Sequence, residues 1–275
     1  MSAATAIPTG LPSDLDSDRE LLRRAVAEAG AEALRHFRAA GRRWEKSPGQ
    51  VVTEADLAID DLLHAALLGA RPDDGWLSEE RPDDGSRHVR ERVWVVDPID
   101  GTRAFADGVP EFAVSVALVV AGRPMLGAVY NPASGELFEA GAGGGAWLNG
   151  TRIRASRRAE LAGAKLVSSR GEMRHRRWPE LIPEAAGFTA VGSLAYKLAL
   201  VAGGRFDGFV SLRRTADWDV AAALLLVTEA GGRISLADGA PLRLNRPEPH
   251  HAGLGAGAAP GLHADLVARL RPHLG

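Results

Sequence analysis

The residues best suited to chemistry are carboxylates at the ends of short apolar runs. Residues 93–96 are apolar and rich in β-branched side chains, the composition of a buried strand. They lead into Asp97-Pro98-Ile99-Asp100-Gly101-Thr102. Pro98 cannot donate a ladder hydrogen bond, so the strand is expected to stop there. Gly101 permits a sharp turn, and Thr102 supplies a hydroxyl where the chain leaves it. Two acids turned toward one point repel each other unless a cation sits between them.

Further acids belong to the same set. Residues 76–80 read as a short strand ending in Glu79-Glu80. If the two runs are neighbours, four carboxylates converge at one sheet edge. Asp219 falls in the first turn of a helix opened by Asp217-Trp218-Asp219, where the helix dipole favours negative charge. Glu79, Asp97, Asp100 and Asp219, with the Ile99 carbonyl exposed by the turn, make an all-oxygen donor set. Such donors favour Mg²⁺, Mn²⁺ or Ca²⁺ over Zn²⁺. Acids this dense can bridge two ions about 3.5–4 Å apart, an arrangement that stabilises both oxygens of an in-line phosphoryl displacement. Thr102 can orient the attacking water, and Asp56 or Glu80 can hold the threonine or take the proton. The plainer reading of Asp56 is a helix cap, paired with Thr53. A phosphate would be favoured near the N–H groups after Gly101, and rim cations would hold the leaving group.

The elements that position these groups follow in order. Residues 1–13 are expected to be disordered. Ser17 and Glu20 have capping-box spacing, and a helix is predicted over 18–40 from Leu21, Leu22, Val26, Ala29, Ala33 and Leu34. Thr53 and Asp56 open a second helix to about Ala70. Asp60 and His64 follow Asp56 at i+4 steps and read as its solvated face. The connector 81–92 is rich in Pro, Asp, Gly and Arg and is expected to be exposed and mobile. Strands are predicted over 112–120, 125–130, 136–140, 146–148 and 151–155, an antiparallel meander with Asn149-Gly150 as a two-residue hairpin. The rest alternates: strands over 165–169, 188–191, 206–212 and 233–236, helices over 193–202, 217–229 and 262–270, and a small-residue strand near 253–257. This makes a single domain over 14–275 in two lobes, a metal-binding lobe over about 14–156 and a second over about 157–275.

The 275 residues carry 33 Lys+Arg against 35 Asp+Glu, a net charge of −2, which gives no electrostatic case for nucleic acid or an anionic membrane. There are no cysteines, so disulfides and thiolate metal sites are excluded. No signal peptide or membrane-length apolar run is evident, and a cytoplasmic location is expected. A nucleotide-triphosphate loop is absent: no G-x-x-x-x-G-K-[ST] occurs.

These segments resemble the inositol monophosphatase superfamily. The resemblance rests on Val52-Thr53-Glu54-Ala55-Asp56, Ser78-Glu79-Glu80, Asp97-Pro98-Ile99-Asp100-Gly101-Thr102, Trp218-Asp219-Val220-Ala221-Ala222 and Glu229-Ala230-Gly231-Gly232, in the family's order. It implies an α+β fold, a layered α-β-α-β-α sandwich, with two or three Mg²⁺ per site, lithium inhibition and a homodimer. It implies Glu79, Asp97, the Ile99 carbonyl, Asp100 and Asp219 as metal ligands, and Thr102 with Asp56 and Glu79 or Glu80 as water-activating groups. Two positions depart from the pattern. Gln50 stands where the first motif usually has Asp, which puts a peripheral metal position in doubt, and Ser78 stands where many members have Gly.

The substrate is expected to be a small phosphorylated metabolite. Inositol phosphatases usually carry an acid just before the Trp-Asp motif, but here Arg213-Arg214 occupies that segment. Lys197, in Gly192-Ser193-Leu194-Ala195-Tyr196-Lys197, stands where bisphosphate nucleotidases have a lysine. Gly101, Thr102, Ser193, Lys197, Arg213 and Arg214 are therefore candidate substrate contacts. The added cations favour a substrate with a second phosphate, 3′-phosphoadenosine 5′-phosphate. Inositol-1-phosphate is the alternative, a fructose-bisphosphatase-type activity is next, and a non-catalytic phosphate- or metal-binding protein is the most distant.

Overall fold

In the structure, a computed structural model, residues 13–37, 42–47, 50–175, 178–257 and 259–274 are described. The chain begins with helix α1 (Ser13–His36), the strand pair β1 (Arg43–Ser47) and β2 (Gln50–Thr53), and helix α2 (Glu54–Ala70). A parallel pair follows, β3 (Gly75–Ser78) and β4 (Arg92–Asp100), then the short helix α3 (Thr102–Ala106). The meander is β5 (Ala113–Val120), β6 (Arg123–Asn131), β7 (Glu136–Gly141), β8 (Gly145–Leu148) and β9 (Thr151–Ile153). Strands β3 to β9 form one sheet in sequence order, antiparallel apart from β3–β4. Asn149 and Gly150 both adopt positive φ, 48° and 76°, as a tight β8–β9 hairpin requires.

The second half comprises β10 (Lys165–Ser168), α4 (Arg170–His175), α5 (Trp178–Leu181), β11 (Gly187–Ala190), α6 (Leu194–Ala202), β12 (Gly208–Ser211), β13 (Thr215–Ala216) and α7 (Asp217–Glu229). It closes with β14 (Arg233–Leu236), β15 (His250–His251), β16 (Leu254–Gly257) and α8 (Pro260–Leu270). The second sheet has the order β11-β10-β12-β16-β14. Helices α1 and α2 cover one face of the first sheet, α6 and α7 lie between the sheets, and α8 packs outside the second. The layering is α-β-α-β-α, as the resemblance implied.

Burial explains the layering. On β4, Trp94 and Val96 pack against α1 and α2, while Val93 and Val95 pack against the middle helices. A strand covered on both faces must be apolar at successive positions. Close approach of α7 to the sheet needs Gly127, where a Cβ would lie 2.9 Å from the Ala222 carbonyl oxygen.

Several expectations are corrected. The first helix starts at Ser13, so Ser17 and Glu20 lie inside it rather than at its cap; Leu15 is already buried. Residues 1–12, 38–41 and the Gln50 side chain lie outside the described set. Pairing of β4 does not end at Pro98 but resumes at Asp100 after a bulge. The connector 81–92 is anchored: Arg87 is fully buried, paired with Asp83, and donates to Asn245 Oδ1 (2.5 Å) and the Arg246 carbonyl (2.9 Å). Asp60 is buried rather than solvated, and His64 stands edge-on to Trp76. Pairing of β1 with β2, and the short helices α3, α4 and α5, carried too few periodic residues to be read from the sequence.

Candidate active site

The bulge in β4 sets up the site. Strand side chains alternate between faces, so two acids three residues apart should point to opposite sides of the sheet. Asp97 pairs with Ser115 and Asp100 with Ala113, so three steps on β4 match two on β5. The extra residue restores parity and returns Asp100 to the face of Asp97. Pro98 sits within the irregular stretch, where the ladder donor it lacks is not required. Pairing of β3 with β4, Ser78 opposite Val96, then carries Glu79 to the same sheet end.

Glu79, Asp97 and Asp219 each offer an oxygen, all within 4.8 Å of one another. Asp97 is buried, and neither of its carboxylate oxygens has a hydrogen-bond partner among the described residues. Burial, then Glu79, Asp100 and Asp219, push its carboxyl well above the ordinary range. Asp219, desolvated and facing Asp100, is pushed up to about 7. Asp100 is also raised by burial, countered by Lys197 and by hydrogen bonds from Ser193 Oγ (2.6 Å) and the Ala195 N–H (2.5 Å). A partly buried acid cluster with an orphaned, buried carboxylate among its members fits a hard divalent cation held by oxygen donors.

Beside this cluster, Thr102 Oγ1 lies 3.1 Å from Asp56 Oδ1 and 3.0 Å from the Ile99 carbonyl oxygen. Asp56 Oδ2 accepts from the Thr53 N–H (2.8 Å) and hydroxyl (2.6 Å). The cap and the site residue are therefore one group: Asp56 closes the first turn of α2 and holds Thr102.

A cavity of about 520 Å³ opens over the acids. Glu79, Asp97, Asp100, Thr102 and Asp219 line its floor, with Gly101, Ser193, Lys197, Arg213 and Arg214 around it. Asp56 and Glu80 are not among the lining residues. The Gly101 turn packs on the loop before α6, where a Cβ on Gly101 (φ +94°) would lie 3.0 Å from the Ser193 nitrogen. Ser193 itself has φ +53°, strain of the kind found at functional sites, held by its bond to Asp100.

The candidate substrate cations separate. The Lys197 ammonium is buried and donates to the Ser193 (2.7 Å) and Val191 (3.2 Å) carbonyls, so it clamps the loop before α6 instead of reaching into the cavity as a free charge. Burial lowers it to about 8, with Asp100 opposing the shift. Arg214 pairs with Glu248 at 2.9 Å. Arg213 lines the cavity, and its guanidinium has no hydrogen-bond or ion-pair partner among the described residues. Sequence reasoning missed Arg103, Arg170 and Arg174, which also line the cavity, and Glu111, which accepts from the Gly192 N–H at 2.6 Å. Of these only Arg103, adjacent to Thr102, had a sequence signal.

Residues 14–274 match the model of the inositol monophosphatase family. An inositol-1-monophosphatase of Mesorhizobium japonicum is 41% identical over 201 residues, covering 70% of this chain and 75% of that protein. The Nus factor SuhB of Pasteurella multocida is 34% identical over 238 residues, 83% of this chain and 85% of its own length. Among solved structures, the IMPase of Thermotoga maritima superposes with a TM-score of 0.82 at 29% identity, covering 96% of this chain and all (100%) of that one. The chain belongs to the inositol monophosphatase family, and is a phosphoric monoester hydrolase.

Proposed function

We propose that this phosphatase hydrolyses a small phosphomonoester in a divalent-cation-dependent reaction, with Mg²⁺ as the natural ion and inositol-1-phosphate as the leading substrate. The observation that carries the reading is the buried Asp97 carboxylate, without a protein partner among the described residues and flanked by Glu79 and Asp219. Glu79, Asp97, Asp100, Asp219 and the Ile99 carbonyl would hold the ions. Bound there, divalent cations supply positive charge to the phosphoryl oxygens and acidify the attacking water. The chain's residues do the rest. Thr102 gives its single hydroxyl proton to Asp56, which leaves the oxygen free to accept a hydrogen bond from the nucleophilic water. Asp56 thereby orients that water and takes up the proton it loses, and its two contacts to Thr53 keep the carboxylate fixed. Glu80, outside the cavity wall, has the smaller part. Arg213 faces the substrate.

Relatives named inositol-1-monophosphatase support the monophosphate. The second reading, 3′-phosphoadenosine 5′-phosphate, is favoured by Arg213, but two of the three cations behind it are engaged within the protein. Phosphate release from inositol-1-phosphate, 3′-phosphoadenosine 5′-phosphate and fructose-1,6-bisphosphate, with Mg²⁺ and with or without Li⁺, tests the choice. A higher kcat/KM for inositol-1-phosphate is expected. A tenfold preference for the bisphosphate nucleotide overturns the substrate, and turnover that survives EDTA overturns the cation dependence.

A further inference from the structure

Helix α2 carries two buried acids one turn apart on one face, Asp56 and Asp60. Asp56 reaches Thr102, as described. Asp60 reaches the other edge of the same site. Its Oδ1 accepts from the Ser78 hydroxyl, and its Oδ2 accepts from Arg81 Nε in an ion pair. Asp60 and Ser78 are each 2% exposed, so water does not compete for these bonds. Ser78 Oγ also accepts from the Glu80 N–H at 3.2 Å. Ser78, the last residue of β3, and Glu80 just past it are thus tied to α2 through one hydroxyl.

Strand geometry converts this tie into control of Glu79. Trp76 packs on the α1–α2 side of the sheet and Leu77 on the side of the middle helices. By the same alternation Ser78 turns toward α2, and Glu79 turns toward Asp97 and Asp219. The Glu79 N–H donates to the Val96 carbonyl of β4 at 3.3 Å. Ser78 and Glu80, on either side of Glu79, both bond through the Ser78 hydroxyl.

We propose that Asp60 is a positioning residue which, through Ser78 and Arg81, sets the end of β3 and so delivers the Glu79 carboxylate to the cation site. The proposal rests on the reading of Glu79 as a cation ligand. On this view α2 is a ruler for the reaction: its two inward acids place the water-orienting hydroxyl and the ligand carboxylate a fixed distance apart. Ser78 is then part of the device, since a glycine there would leave Asp60 with Arg81 alone.

The test uses full-length, metal-free protein titrated with Mn²⁺ by calorimetry, a readout independent of turnover. Wild type is compared with S78A, D60N, the S78A/D60N double variant and E79Q, each checked for folding by circular dichroism. Partners behind a ligand typically change metal affinity by about tenfold or more, and that weakening is expected for S78A and D60N. The two losses should combine less than additively in the double variant, because the Ser78 hydroxyl and Arg81 meet on one Asp60 carboxylate. The loss in kcat/KM should fall mainly on kcat. S78A removes one oxygen and decides the matter should D60N fail to fold. Binding of Mn²⁺ within twofold of wild type by S78A, while E79Q loses it, overturns the proposal and leaves the site reading intact. Wild-type binding by E79Q overturns the site reading and the proposal together.

Discussion

Replacing Asp97 by Asn should abolish phosphatase activity and make the metal-free protein more stable. Oxygens of Glu79, Asp97 and Asp219 lie within 4.8 Å of one another. At that distance and an effective dielectric near 20, two ionised carboxylates repel by about 3.5 kcal/mol. Without cations the cluster escapes part of this by holding a proton: burial, Glu79, Asp100 and Asp219 push the Asp97 carboxyl up, and burial with Asp100 takes Asp219 to about 7. An Asn at position 97 removes the central charge and can donate to the neighbouring acids, at a burial cost of about 1–2 kcal/mol. The net gain is about 2 kcal/mol, or about 4–8 °C in Tm for a protein of this size. The sign of the pH dependence follows from the raised values. The native state binds more protons than the unfolded chain, so metal-free wild type loses stability as pH rises from about 4 to about 7, and D97N, which lacks the raised Asp97 carboxyl, should show a flatter profile over that window. Thermal unfolding in EDTA at pH 5 and pH 8 measures both effects. Added Mg²⁺ should then raise the wild-type Tm and leave D97N nearly unchanged. A D97N protein that melts lower than wild type in EDTA, or that retains turnover, refutes the argument.

Thr102→Val should lower kcat by about 10²-fold, since it removes the hydroxyl between Asp56 and the water, with Mn²⁺ affinity by calorimetry unchanged. Gly127→Ala should destabilise by about 1–3 kcal/mol in urea unfolding, because its Cβ would press on the Ala222 backbone and push α7 from the sheet. Arg87→Met should cost about 2 kcal/mol by the same assay: it strips partners from Asn245 and the Arg246 carbonyl, while Asp83, 27% exposed, recovers water. Arg213→Ala should raise KM for the preferred substrate several-fold and leave kcat within about twofold, the pattern of a contact made equally in ground and transition states.

The candidate ligands were legible because each lies in a local pattern: acids after a β-branched run, acids in a first helical turn, a Pro and a Gly marking where the chain bends. Sequence periodicity also recovered the meander, since Asn149-Gly150 and the alternating runs leave few pairings open. What it could not supply was parity. Read as an ordinary strand, 93–100 sends Asp97 and Asp100 to opposite faces, and the bulge that corrects this is visible only in the pairing with β5. The same limit explains the misread residues. Asp60 looked solvated because the apolar stripe of α2 identifies the buried face but not the polar groups that another element satisfies there. Arg87 looked mobile because its acceptors, Asn245 and Arg246, are remote in sequence. Lys197 looked like a substrate cation because its loop carbonyls cannot be seen in a motif. In each case a charged residue was assigned to solvent or to substrate when its partner was elsewhere in the chain. Two charges that this accounting leaves without a partner among the described residues are informative: Asp97 on the floor, with both oxygens unmatched, and Arg213 on the wall. They face one cavity with opposite sign. A ligand that satisfies both must carry positive charge to the floor and negative charge to the wall, as a cation-bound phosphate does.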